Sequence, residues 1–320
     1  MILGPSAVIF NMLSIMMLSV LVTIFISSAI IHFKLTAIES YSLRSQRLAL
    51  WLLAVSPWLI GFLSSAVLLL IASDYSPLAE SQKAFHLHHI QLFYLTNWHG
   101  ISLIVGLILI ALLLIQKGYC FLKSQQRAKL LNSVADTDGS DVYLLDTDSI
   151  SAFTAGFLEP KTYITTALRK QLTAMEYTIV RLHEYEHKRC FDPLKKFLFQ
   201  SLTAVYPRSI AHYLTRKMTL VMELGADSAV SRVVPDKGLI AMTLVKGRRL
   251  SSQTQASQMD ASACHFEKDQ LEDRVNYLLV KQKQKKLSSI CLLFVAATML
   301  VFCTLSVDVL HHLIEFPLSH

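Results

Sequence analysis

Four long apolar stretches set the first constraint on this chain. Residues 7–33, 48–73, 100–116 and 288–310 carry almost no charge, and each reaches the span of roughly 17–25 apolar residues that a helix needs to cross a bilayer. In lipid, backbone polar groups must be satisfied within the segment, so such stretches fold as helices. The 320 residues are 53% hydrophobic and 17% charged, with a mean hydropathy of +0.44, too apolar for an ordinary water-soluble domain. The first stretch does not read as a cleavable signal peptide. No Lys or Arg precedes Lys34, and the apolar run is longer than such a signal uses.

The flanks of these stretches predict an orientation. Lys34, Arg44 and Arg47 lie between the first and second; Lys117, Lys123, Arg127 and Lys129 follow the third; Lys281, Lys283, Lys285 and Lys286 precede the fourth. The other side holds Lys83 alone. Basic residues stay inside, which predicts both termini outside and residues 117–287 in the cytoplasm. The net charge of +7 then belongs to topology and anionic lipid headgroups, and no direct nucleic-acid partner is expected. The five cysteines, 120, 190, 264, 291 and 303, form no C-x-x-C pair and read as reduced packing residues. His86, His88, His89 and His99 share the loop 74–99 with Phe85, Phe93, Tyr94 and Trp98, and the group reads as an interfacial loop rather than a metal or pH-sensing patch.

Between the third and fourth stretches the pattern changes. Ser133 to Asp141 reads as a linker, followed by short strands at 142–145, 150–156 and 161–166 with a turn at Glu159-Pro160. From 172 the periodicity is helical past 230; residues 251–264 form a Ser/Gln/Ala-rich linker and 271–279 an amphipathic helix. The expected fold is therefore an α-helical multi-pass membrane protein with four spans. It carries a mainly helical cytoplasmic domain with a small antiparallel β-sheet. The expected boundaries are a three-span domain at 1–121, the cytoplasmic domain at 122–287, and the fourth span with a short external tail at 288–320.

The chemistry concentrates in His183-Glu184-Tyr185-Glu186-His187. H-E-x-x-H on a helix puts two imidazoles on one face, as zinc ligands, with the first Glu beside the metal as general base. A catalytic zinc usually takes a third protein ligand. Glu223 offers one from a return helix 36 residues beyond His187, and Asp227 lies one turn further on the same face. Asp227 is placed to hold the outer N–H of a ligand imidazole; the competing reading of the two acids is an exposed pair. Tyr206, His212 and Arg216 are alternatives for polarising a substrate carbonyl, and spacing does not choose among them. The strand with Ser151, Ala152, Phe153 and Thr154 is the candidate edge for an extended peptide. One zinc per chain, Glu184 as base and peptide hydrolysis are the expected chemistry.

The order of three spans, zinc domain and fourth span resembles the BlaR/MecR-type membrane metallopeptidases, the β-lactam sensor-transducers. Phe153-Thr154-Ala155-Gly156-Phe157-Leu158-Glu159-Pro160 is similar to that family's F-T-x-G-x-x-x-P element. His183 to His187 with Lys188, Arg189 and Asp192-Pro193, Glu223 with Asp227, and Arg274 with Leu278-Leu279 match its further motifs. The resemblance implies a gluzincin in a bacterial cytoplasmic (inner) membrane, with His183, His187 and Glu223 as ligands and Glu184 as base. It also implies cleavage of the protein itself or of a cytoplasmic transcriptional repressor. Two departures stand out. Glu186 occupies a position that is usually small or apolar in the family. The sequence continues only ten residues past 310, without the external penicillin-binding sensor, so β-lactam sensing is not expected and a signal would enter through the spans, the His-bearing loop or a separate sensor partner. An HtpX-like quality-control protease and a non-catalytic metal-binding signalling protein are the alternative expectations.

Overall fold

The computed structural model describes residues 2–34, 40–72, 92–137, 141–255, 261–280 and 285–315, most of them helical. His86, His88 and His89 of the 74–99 loop lie outside the described residues. The chain divides into two compact units: Met1–Gln116 with Ala204–Ile210 and Lys285–His320, and Lys117–Thr203 with Ala211–Gln284.

The first unit is built on α1 (Pro5–Lys34), α2 (Leu43–Ala72), the apolar part of α3 (Trp98–Val134) and α10 (Ser289–Glu315). The stretches Pro5–His32, Leu43–Leu70 and His99–Val134 are long and apolar enough to cross a membrane; the described apolar part of α10 is the shorter Leu292–Ser306. Their outward surface is apolar, with Phe25, Phe62, Leu114 and Ile115 exposed, while Ser19, Thr23, Ser27 and Ser64 are fully buried. That inversion suits a lipid environment, where helices associate through small residues and close backbone approach. Gly61 makes the approach possible: a Cβ there would meet Val20 Cγ2 at 2.7 Å and the Met16 carbonyl at 3.1 Å. Ser65 of α2 donates to the Met12 carbonyl at 3.2 Å, and Thr23 Oγ1 lies 3.1 Å from Cys303 Sγ on α10. The two-residue strands β1 (Ile2–Leu3) and β2 (Leu92–Phe93) pair antiparallel at one end.

The second unit holds a four-stranded sheet in the order β3 (Asp136–Thr137), β4 (Val142–Leu145), β6 (Lys161–Thr165), β5 (Ala152–Ala155). The sheet is mixed, correcting the antiparallel expectation. β5 runs antiparallel to β6, with Phe153 stacked on its cross-strand partner Tyr163, but β4 runs parallel to β6. The chain leaves β4, lays β5 down at the far edge, and returns through a hairpin to insert β6 between them. Gly156 makes that return possible. Its φ of +100° belongs to the glycine region, and a Cβ there would meet the Glu159 carbonyl at 2.6 Å.

Helices then line this sheet and position the site. α5 (Ala174–Cys190) starts at a capping box, in which Thr173 accepts from the Glu176 backbone and Glu176 caps in return. Glu176 also pairs with Lys246 of α8 (Lys237–Gln255) at 2.7 Å. α4 (Thr166–Gln171), α6 (Asp192–Leu202), α7 (Arg208–Val233) and α9 (Ala261–Leu279) complete the unit. Ile179 of α5, Val230 of α7, Ile240 of α8 and Leu278 of α9 form one buried core. A second, under the sheet, joins Val142, Ile164 and Leu168. The expected linker is mostly helix: 251–255 end α8 and 261–264 begin α9, while 256–260 lie outside the described residues.

Candidate metal centre

His183 and His187 sit at i and i+4 on α5, so their rings emerge on one face a single turn apart. Their Nε2 atoms approach to 3.1 Å and the rings meet nearly edge-on at 82°. Glu223 of α7 closes the triangle, with Oε2 3.3 Å from His183 Nε2 and Oε1 3.6 Å from His187 Nε2. These three residues could hold a metal ion, each offering a ligand atom within 4.8 Å of the others. His183 and His187 are almost wholly buried; Glu223 keeps a quarter of its side chain exposed.

Each imidazole has an aspartate behind it. His187 Nδ1 hydrogen-bonds Asp192 Oδ2 at 2.7 Å, whereas His183 Nδ1 lies 2.9 Å from Asp227 Oδ1 as an ion-pair contact outside hydrogen-bond geometry. Such outer carboxylates fix a ring's orientation and tautomer so that the other nitrogen faces a metal. The Asp192 contact depends on how α5 ends. Phe191 adopts φ 53°, ψ 39°, and its N–H caps the carbonyls of His187 and Lys188. Asp192 and Pro193 then open α6 at once. Proline suits a first helical turn because its missing N–H has no partner to lose there. The reversal brings Asp192 back against the ring five residues earlier.

Arg274 of α9 ties the acids together. Its Nε and Nη2 reach Asp227 Oδ2 and Oδ1 at 2.7 and 2.8 Å, and its Nη1 reaches Glu223 Oε2 at 2.9 Å. Glu184, also buried, faces the same cavity. Thr154 Oγ1, on β5, lies 2.9 Å from both the Glu184 carbonyl and its Oε2, and its one proton serves either. The cavity measures about 800 Å³ and is lined by Ser151, Ala152, Phe153 and Thr154 on one side and the His pair on the other. β5 is an edge strand, paired with β6 on one side and with no strand on the other among the described residues.

The electrostatics favour positive charge at this point. Burial by itself would favour neutral imidazoles. The Asp227 and Glu223 carboxylates outweigh it at His183, raising its pKa, and Asp192 and Glu223 raise His187 to about 10. Burial likewise opposes ionisation of Glu223 and Asp227. Hydrogen bonds to the imidazoles and the Arg274 guanidinium reverse this, holding Asp227 below and Glu223 well below the usual carboxylate range.

The sequence brings some expected residues here and not others. His183, Glu184, His187, Glu223, Asp227 and the 151–154 strand converge on one cavity. Tyr206 does not line it: its hydroxyl donates to the Leu53 carbonyl at 2.7 Å in the other unit. His212 and Arg216 are also absent from the lining. Glu186 makes a contact of its own, a two-point pair with Arg189 at 2.7 and 2.8 Å that lowers its pKa. Asp192 and Arg274 stand among the motif residues of the resemblance, but spacing gives neither a role at the centre; their contacts with His187 and with Glu223 and Asp227 come from the structure. No protein-family model matches the chain, and no curated protein matches it either.

Proposed function

We propose that the chain is an integral-membrane zinc endopeptidase of the BlaR/MecR type, a signal transducer that cuts itself or a cytoplasmic regulator. The observation that carries this reading is the facing Nε2 pair of His183 and His187 with Glu223 beside it, each ring backed by its own aspartate. Ligand bonds of ~2.0–2.2 Å at tetrahedral angles place neighbouring ligand atoms about 3.3–3.6 Å apart. The two nitrogens are 3.1 Å apart, one lies 3.3 Å from Glu223 Oε2 and the other 3.6 Å from Glu223 Oε1, all close to that range, and two imidazole nitrogens with a carboxylate are a donor set that suits zinc. When bound, zinc would act as a Lewis acid, polarising a peptide carbonyl and lowering the pKa of water towards ~7.

The chain's own groups supply the rest. Glu184 takes a proton from the attacking water and hands it to the leaving amine. Thr154 restrains the Glu184 side chain at Oε2. Asp227 and Asp192 keep the imidazoles from rotating, and the open edge of β5 receives the substrate as an added strand. α10 acts as a fourth span, and the basic flanks put the metal unit in the cytoplasm. A signal then enters through the spans or from a separate sensor partner.

The test is zinc per chain on detergent-purified protein, together with intact-mass detection of cleavage. One zinc and a Glu184-dependent cut support the reading. One zinc with no Glu184-dependent cut would leave a metal-binding signalling protein, and no zinc in folded protein would remove the metal centre altogether.

A further inference from the structure

We infer that Arg274 is the positioning residue of this centre: it fixes the rotation of the ligand Glu223 and of the Asp227 carboxylate behind His183. This rests on the metal-centre reading above. Glu223 and Asp227 are one helical turn apart on α7, so their charges repel and each carboxylate is free to turn away. Arg274 spans both. Two nitrogens of its planar head take the two oxygens of Asp227, and the third takes Glu223 Oε2. With Asp227 so held, its Oδ1 stays 2.9 Å from His183 Nδ1; with Glu223 so held, both its oxygens face the imidazole pair. His183, Asp227, Arg274 and Glu223 thus form a closed ring of contacts.

The guanidinium is required for its shape. Only a rigid planar fork reaches three oxygens on two acids in fixed directions, whereas a Lys ammonium is a point charge. This distinction matters because Arg274 has two opposing effects on a divalent cation. Its charge repels the cation, while its geometry assembles the ligands. Arg274→Lys keeps the first effect and discards the second. α9 is docked separately by Leu278, one turn along, which is buried among Ile179, Val230, Val234 and Ile240. Docking and positioning are therefore separable.

The experiment measures zinc affinity by chelator competition, and melting temperature, on full-length detergent-solubilised wild type, Arg274→Lys and Leu278→Ala. Arg274→Lys should bind zinc roughly 10–100-fold more weakly, the range for lost ligand-orienting partners. Leu278→Ala should lower the melting temperature at least as much and leave zinc affinity within about twofold of wild type, since it removes packing and no partner of a ligand. Arg274→Gln, which loses the fork and also the charge that repels the cation, should weaken zinc in the same direction but by less than the Lys variant, and it stands in if the Lys variant does not fold. Wild-type affinity in the Arg274 variants, or equal weakening in Leu278→Ala, overturns the inference while leaving the centre intact. A folded wild type that binds no zinc overturns both.

Discussion

In the unit containing α1, α2 and α10, the hydroxyls of Ser19, Thr23, Ser27 and Ser64 are buried while Phe25, Phe62 and Leu114 face outward. Around α5 the arrangement is the ordinary one, with Ile179, Val230 and Ile240 inside, and the buried acids Asp192 and Asp227 belong to one network. The difference teaches what polarity is for in each place. Among these apolar helices, Thr23 bonds back to the Ser19 carbonyl at 2.8 Å and Thr304 to Leu300 at 2.9 Å, each on its own helix, while the Ser19 and Ser27 hydroxyls have no hydrogen-bond partner among the described residues. They let backbones come close and bind little else. Around α5, Asp192 and Asp227 each face an imidazole, Asp227 takes a guanidinium as well, and the product is a preorganised site.

On that contrast, removing polar groups should be drastic in one unit and mild in the other. The largest effect expected is from Glu184→Gln: cleavage should fall by roughly 10²–10⁴-fold, the usual contribution of a general base, with about one zinc retained. Cleavage at the wild-type rate would strip Glu184 of its role. His187→Ala should come next, losing most bound zinc by elemental analysis of folded protein, because it removes a ligand and strands Asp192 and Glu223. Asp227→Ala and Asp192→Ala should each weaken zinc by about 10–100-fold in chelator competition. Undiminished affinity in either would make that aspartate a bystander.

A smaller effect should appear with pH in the metal-free protein. The folded pKa of His187 is raised from 6.5 to about 10, and that of His183 is raised also. A raised folded pKa stabilises fully below the unfolded value and is lost as pH climbs through the folded one. Melting temperature after chelation should therefore decline between about pH 6.5 and 10. Glu223 and Asp227, both lowered, act in the opposite direction and give up their contribution on acidification below the usual carboxylate range. Zinc binding displaces the imidazole protons, so the alkaline decline should shrink when zinc is present. The mildest change should be Thr23→Val in the apolar unit, below about 1 kcal/mol of stability; a loss as large as that of Asp227→Ala would erase the contrast between the units.

Legibility in the sequence extends as far as its periodicities reach. The 3.6-residue helical repeat puts His183 with His187 and Glu223 with Asp227, so those pairs are legible from spacing, as are three long apolar helices. Partners set by a change of chain direction are not. Asp192 reaches His187 only because Phe191, a residue with no special liking for positive φ, adopts a left-handed conformation. Arg274 comes from 47 residues beyond Asp227, where no repeat connects the two. Alternation reveals the strands but not their neighbours, so the parallel pairing of β4 with β6 stays hidden in it. Tyr206 has the chemistry of a carbonyl partner and the wrong address.

The reversal at Phe191 also makes the stretch from His187 to Asp192 a ruler with one permitted length. Each residue added to a helix rotates the remainder of the chain by about 100°, so a single insertion or deletion in these six positions would swing the aspartate away from the imidazole it restrains. Substitutions there can be absorbed one by one, but changes of length cannot. Along this chain, the interval should stay constant in length even where its neighbours' residues drift.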